Sequence, residues 1–127
     1  MEQVTVLVIE DNAAEAALVA AALALRPGVQ VLDAPDAREA AMRLDSPPCP
    51  VVLALAGAAA LAAPPAALFK RLGAQGIPVI GIAAGLSEAD KGRALAAGVR
   101  EIHDRPDQWR PYAALIESLA GRFIRKG

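Results

Sequence analysis

The 127 residues include one cysteine, one histidine, one tryptophan, one tyrosine and two phenylalanines. A lone thiol, Cys49, excludes an internal disulfide and a cysteine-based metal cluster. It stands between Pro48 and Pro50 and reads as an apolar loop residue. Four aromatic rings are too few for a surface on which nucleic-acid bases stack. No apolar stretch of about 20 residues runs free of Pro, Gly or charge, so no membrane span is expected. No basic segment precedes the first apolar run, so no secretory leader is expected either, and the protein reads as cytoplasmic.

Charge of one sign is also missing. The 13 Lys and Arg nearly balance the 14 Asp and Glu, for a formal net charge of -1. The balance is uneven along the chain. Residues 1–90 carry five basic and ten acidic side chains, net -5, and residues 91–127 carry eight and four, net +4. A surface this mildly basic does not make a nucleic-acid footprint.

What the chain has is alternation. The run Val4-Thr5-Val6-Leu7-Val8-Ile9 is almost wholly β-branched or aliphatic and stops at Glu10-Asp11-Asn12. Unbroken apolar strands of this kind are buried on both faces, as in parallel sheets. Similar runs follow at Val29–Leu32, Val51–Leu55, Pro78–Ala83 and Val99–His103. Helical stretches lie between them. Asn12 with Glu15, Asp36 with Glu39, and Ser87 with Asp90 each have capping-box spacing, opening helices to about Leu25, Leu44 and Ala97. Pro64-Pro65 starts another, closed by Gly73, and a last helix follows Asp107 with Pro111 in its first turn. Gly57–Ala63 reads as an alanine-rich loop. Arg125-Lys126-Gly127 reads as a frayed end or as the point where a longer protein was cut. Five strands alternating with five helices predict one domain, a doubly wound parallel α/β sheet with helices on both faces.

Four segments carry a resemblance. Val6–Asn12, Asp36–Ala40, Ile77–Ala84 and Ala94–Pro106 resemble, in order, the first strand with its acidic pair, the second helix, the fourth strand, and the fifth strand with its lysine–proline element, in the receiver domain of bacterial two-component response regulators. The resemblance spans nearly the whole chain and implies the CheY-like strand order 2-1-3-4-5. In that family an acidic pair holds magnesium and an aspartate ending the third strand takes the phosphoryl group. A Thr or Ser ending the fourth strand and a lysine after the fifth complete the site. Phosphoryl transfer is mostly positioning and charge neutralisation, so these groups must converge. Carried over, Glu10 and Asp11 match the acidic pair, and the acceptor falls on Ala54. The hydroxyl falls on Ala83, the lysine on Arg105 before Pro106, the switch aromatic on Ile102, and the proline after the aspartate on Ala58. From Ser46 to Ser87 the sequence has no Asp or Glu, so no shift of register supplies a carboxylate to the third strand.

These positions imply a degenerate, phosphorylation-independent receiver, not an enzyme, in which Glu10 and Asp11 hold magnesium weakly at best. Arg105 is expected to bridge to Glu10 or Asp11 and fix the loop in one state. His103 has no second His or Cys near it and reads as a polar residue at a strand end. Arg100, Arg105, Arg110, Trp109 and Tyr112 cluster around the fifth strand and last helix. In the family, partners and dimer mates dock on the face of the fourth helix, fifth strand and fifth helix, and Trp, Tyr and Arg are the types enriched in binding hot spots. The expected partner is a histidine kinase, an effector domain or a second copy of the chain. The alternative is a cyclic dinucleotide such as cyclic di-GMP, its phosphates clamped by arginines of this face with Trp109 stacking on a base.

Overall fold

The computed structural model describes residues 3–124. Eleven elements follow in order: β1 (Val4–Ile9), α1 (Ala13–Leu23), β2 (Val29–Ala34), α2 (Ala37–Asp45), β3 (Val51–Ala56), α3 (Ala58–Ala62), α4 (Ala66–Ala74), β4 (Val79–Ala83), α5 (Glu88–Ala96), β5 (Glu101–Asp104) and α6 (Trp109–Phe123). The strands form one all-parallel sheet of order β2-β1-β3-β4-β5. This is the doubly wound CheY-like arrangement. Among the described residues no helix is long and apolar enough to cross a membrane.

Strand periodicity explains the two cores. Successive side chains of a strand point to opposite faces. Leu7 and Ile9 therefore join Phe69, Leu72 and Leu61 beneath α2–α5, whereas Val6 and Val8 join Val19, Leu23, Ile116 and Leu119 beneath α1 and α6. Both cores are built of buried apolar side chains, and burying a Leu or Phe contributes about 1.5–3 kcal/mol each. Thr5 is buried among the described residues; its hydroxyl donates to the Cys49 carbonyl at 2.9 Å and also lies 2.9 Å from the Cys49 sulfur. Cys49 thus ties its loop to β1.

Three local expectations are corrected. The segment 57–63 is no loop, because Ala58–Ala62 coil into α3, making six helices. Alanine has the highest helix propensity, and Leu61 anchors the turn by packing on Gly81, where a Cβ would come within 2.7 Å of a Leu61 methyl. β5 begins at Glu101, two residues later than expected, because Gly98 takes a φ of 118° and Arg100 enters through its N–H to the Val79 carbonyl at 2.8 Å. β2 and β3 each run past their expected ends, to Ala34 and Ala56. The final Arg125-Lys126-Gly127 lies outside the described residues.

Candidate functional site

Open α/β sheets place their sites at the carboxyl ends of the strands. Here that edge begins with Glu10, whose N–H donates to the Ala34 carbonyl at 2.9 Å and fixes it beside the end of β2. Its half-buried carboxylate accepts the Asn12 N–H at 3.1 Å. Burial raises the Glu10 carboxyl above the ordinary carboxylate range, and Asp11 and Glu15 nearby push the same way against the Asn12 hydrogen bond. Asp11 is exposed. Asn12 caps α1, accepting from the N–H groups of Ala14 and Glu15 at 3.0 and 3.1 Å. The Glu15 carboxylate, though, turns away from the cap.

It turns to Arg105. Arg105 Nε donates to Glu15 Oε2 at 2.7 Å, and the guanidinium also donates to the Pro106 carbonyl at 2.9 Å. The same group lies over the Tyr112 ring, 5.2 Å from its centroid. The expected bridge from Arg105 to Glu10 or Asp11 is therefore replaced by one to Glu15. The Arg105 N–H is held by the Ala83 carbonyl at 3.1 Å, and its side chain lies against Glu15 of α1 and Tyr112 of α6. Sequence reasoning had assigned Glu15 only to the helix cap and so missed this role.

The third strand needs a second correction. Ala54 is not at its end. It pairs with Leu7 and Val79 in mid-strand and is 0% exposed in the core. An irregularity beside Thr5 and Val6 inserts one residue into β3, so Ile9 pairs with Ala56 and the Gly57 N–H reaches the Ile9 carbonyl at 3.0 Å. Gly57 is the residue facing Glu10. A Cβ built there would lie 2.7 Å from the Glu10 carboxyl carbon, so Glu10 fills the space in front of that strand end. Ala83 ends β4 and pairs with Asp104.

Two hollows result. One, of about 220 Å³, opens between the ends of β1 and β2 and the α3 region, with Glu10, Asp11 and Asp36 against Ala59, Ala63 and Pro65. The other, of about 20 Å³ among Glu10, Glu15, Gly57, Ile82 and Tyr112, has room for about one water. Among the described residues no group of three or more His, Cys, Asp or Glu side chains is placed to hold a metal ion.

The basic face separates into two parts. Arg100 and Arg105 flank β5 at opposite ends, their backbones about 16 Å apart at strand rise. Arg105 is engaged by Glu15, while Arg100 lies over the Phe123 ring at 5.7 Å. The arginine pair invoked for a cyclic dinucleotide does not converge. Arg110 is exposed, and Trp109 is 44% exposed rather than buried in the core. Tyr112 is the buried one, at 3%, and burial above all pushes its phenol up to about 12. Ile102 packs against the core beneath α5. His103 Nε2 lies 2.9 Å from Glu101, which also pairs with Arg122. Arg122 first and His103 second draw the Glu101 carboxyl down to about 2.

No protein-family model matches this sequence, and no curated protein matches it. Solved structures do. The phosphorylated cyanobacterial phytochrome response regulator RcpA superposes with a TM-score of 0.76 at 15% identity, covering 100% of this chain and 97% of that one. The response regulator RPA3017 of red light signaling in R. palustris gives 0.73 at 18%, covering 97% and 95%. The manganese-bound form of response regulator Rcp1 gives 0.71 at 16%, covering 97% and 96%. The fold is that of response-regulator receiver domains. At these identities the likeness establishes architecture, and function rests on the site.

Proposed function

We propose that the chain is a receiver-like module of two-component signalling that works by protein contact rather than by accepting a phosphoryl group. One observation carries this reading. The residue that follows β3 and faces Glu10 is Gly57, the Glu10 carboxylate fills the space before it, and no Asp or Glu occurs from Ser46 to Ser87. A hydrogen or a methyl group cannot attack phosphorus. Ala83 ends β4 with no hydroxyl to hold a phosphoryl oxygen.

The contact surface is the face of α5, β5 and α6, which is the fourth-helix to fifth-helix face of the sequence count shifted by the extra helix. Leu95 and Trp109 are exposed there, Arg100 and Arg110 carry its charge, and large apolar and Arg side chains are what binding hot spots use. The fitting partner is a histidine kinase, an effector domain or a second copy. Incubation with acetyl phosphate and magnesium, followed by intact mass measurement, tests the central point. No added phosphate is expected, and an acid-labile adduct overturns the reading.

A further inference from the structure

We infer that Arg105, Glu15 and Tyr112 form a built-in latch, which ties the first turn of α1 to the start of α6 across the carboxyl end of the sheet. The arginine leaves the end of β5, and α1 supplies the carboxylate that meets it. Glu15 lies one turn into α1, held in line by the Asn12 cap. Arg105 leaves the end of β5 with its N–H on the Ala83 carbonyl, so its backbone is fixed before the side chain is placed. The planar fork then bonds Glu15 at 2.7 Å with one edge and the Pro106 carbonyl at 2.9 Å with another. Its face covers the buried Tyr112 ring. Glu15 and Tyr112 both line the small hollow beside Gly57, of about 20 Å³.

The latch controls one end of a helix pair whose other end is held separately. Val19, Leu23, Ile116 and Leu119 pack between α1 and α6, and Arg26 pairs with Glu117 at 2.6 Å. Releasing the latch therefore frees only the start of α6. Trp109 and Arg110 ride on that first turn. The latch sets how the two residues are presented, whatever partner they meet and whether or not the domain takes phosphate.

Hydrogen exchange resolved by mass spectrometry tests it on the full chain. The Tyr112 N–H, bonded to the Gln108 carbonyl at 3.1 Å, opens the hydrogen-bond ladder of α6, so amides 112–115 are the reporters. In Arg105→Ala and in Glu15→Gln these amides should exchange about tenfold faster, with β1 and β2 unchanged. Arg105→Lys, which keeps the charge but loses the fork, should fall between. Unchanged exchange at 112–115 in both variants overturns the latch. So does an even loss of protection across the whole sheet in both, because that marks general destabilisation rather than a local tie.

Discussion

Placing one aspartate at each of two positions separates the two registers of the third strand. Ala54→Asp puts a carboxylate in mid-strand, 0% exposed, between Leu7 and Val79 and beside no cation. A fully buried carboxyl is shifted upward by about 3–5 pH units and is then held neutral at pH 7, which costs about 1.4 kcal/mol for each of the roughly three units between 3.9 and 7, about 4 kcal/mol, and overfilling a packed alanine site adds about 1–3 kcal/mol. Domains of this size have about 5–15 kcal/mol in total, so this variant should be largely unfolded or close to it. Gly57→Asp meets a different setting. Gly57 has an extended φ of -89° that any residue adopts, and it stands at the N-cap of α3. The new side chain displaces the Glu10 carboxylate and its bond from Asn12, costing about 0.5–1.5 kcal/mol. A less flexible unfolded chain returns about 0.4–1 kcal/mol, leaving the variant within about 1 kcal/mol of the parent. Urea unfolding followed by circular dichroism reads both. Magnesium should raise the midpoint of Gly57→Asp and leave the parent unmoved, by about 1.4 kcal/mol at ten times the dissociation constant. A folded Ala54→Asp within about 1 kcal/mol of the parent, or a Gly57→Asp as damaged as it, would refute the register argued from the β1–β3 pairing.

Two further outcomes follow from charge. The Glu10 carboxyl is raised above its ordinary 4.5, so its contribution is most favourable in acid and declines as pH rises through the raised value. Glu10→Gln should accordingly unfold at slightly higher urea than the parent at pH 7, by less than about 1 kcal/mol for a half-exposed group, with no difference below pH 4.5; equal or lower stability at pH 7 refutes it. Glu101 is shifted the other way, to about 2, so its pairing with Arg122 and His103 stabilises above pH 4.5 and fades as pH falls toward 2. Arg122→Ala should shrink the acid-side loss of stability over that window, and an unchanged acid limb in the unfolding curve refutes it.

The order and type of the major elements were legible because they follow from local patterns. Unbroken apolar runs make strands buried on both faces, and Asn12, Asp36 and Ser87 cap their helices through their own side chains. The α3 helix escaped notice because five alanine-rich residues have no periodicity, and what holds them is Leu61 on Gly81 of a distant strand. The lack of a carboxylate from Ser46 to Ser87 needed no structure either, since a missing residue type is independent of register.

Which residue faces Glu10 was a different matter. Val51–Ala56 is uniformly apolar, so nothing in its pattern marks where the strand ends or that the pairing with β1 gains a residue near Thr5. Only pairing with the neighbouring strand could put Gly57, and not Ala54, at the site. The partner of Arg105 was expected to be Glu10 or Asp11 and is Glu15, 90 residues away along the chain. Sequence fixes side-chain chemistry and local backbone preference. The meeting of charges from α1 and β5 is set by how the helices settle on the sheet, and that was decided by tertiary packing alone.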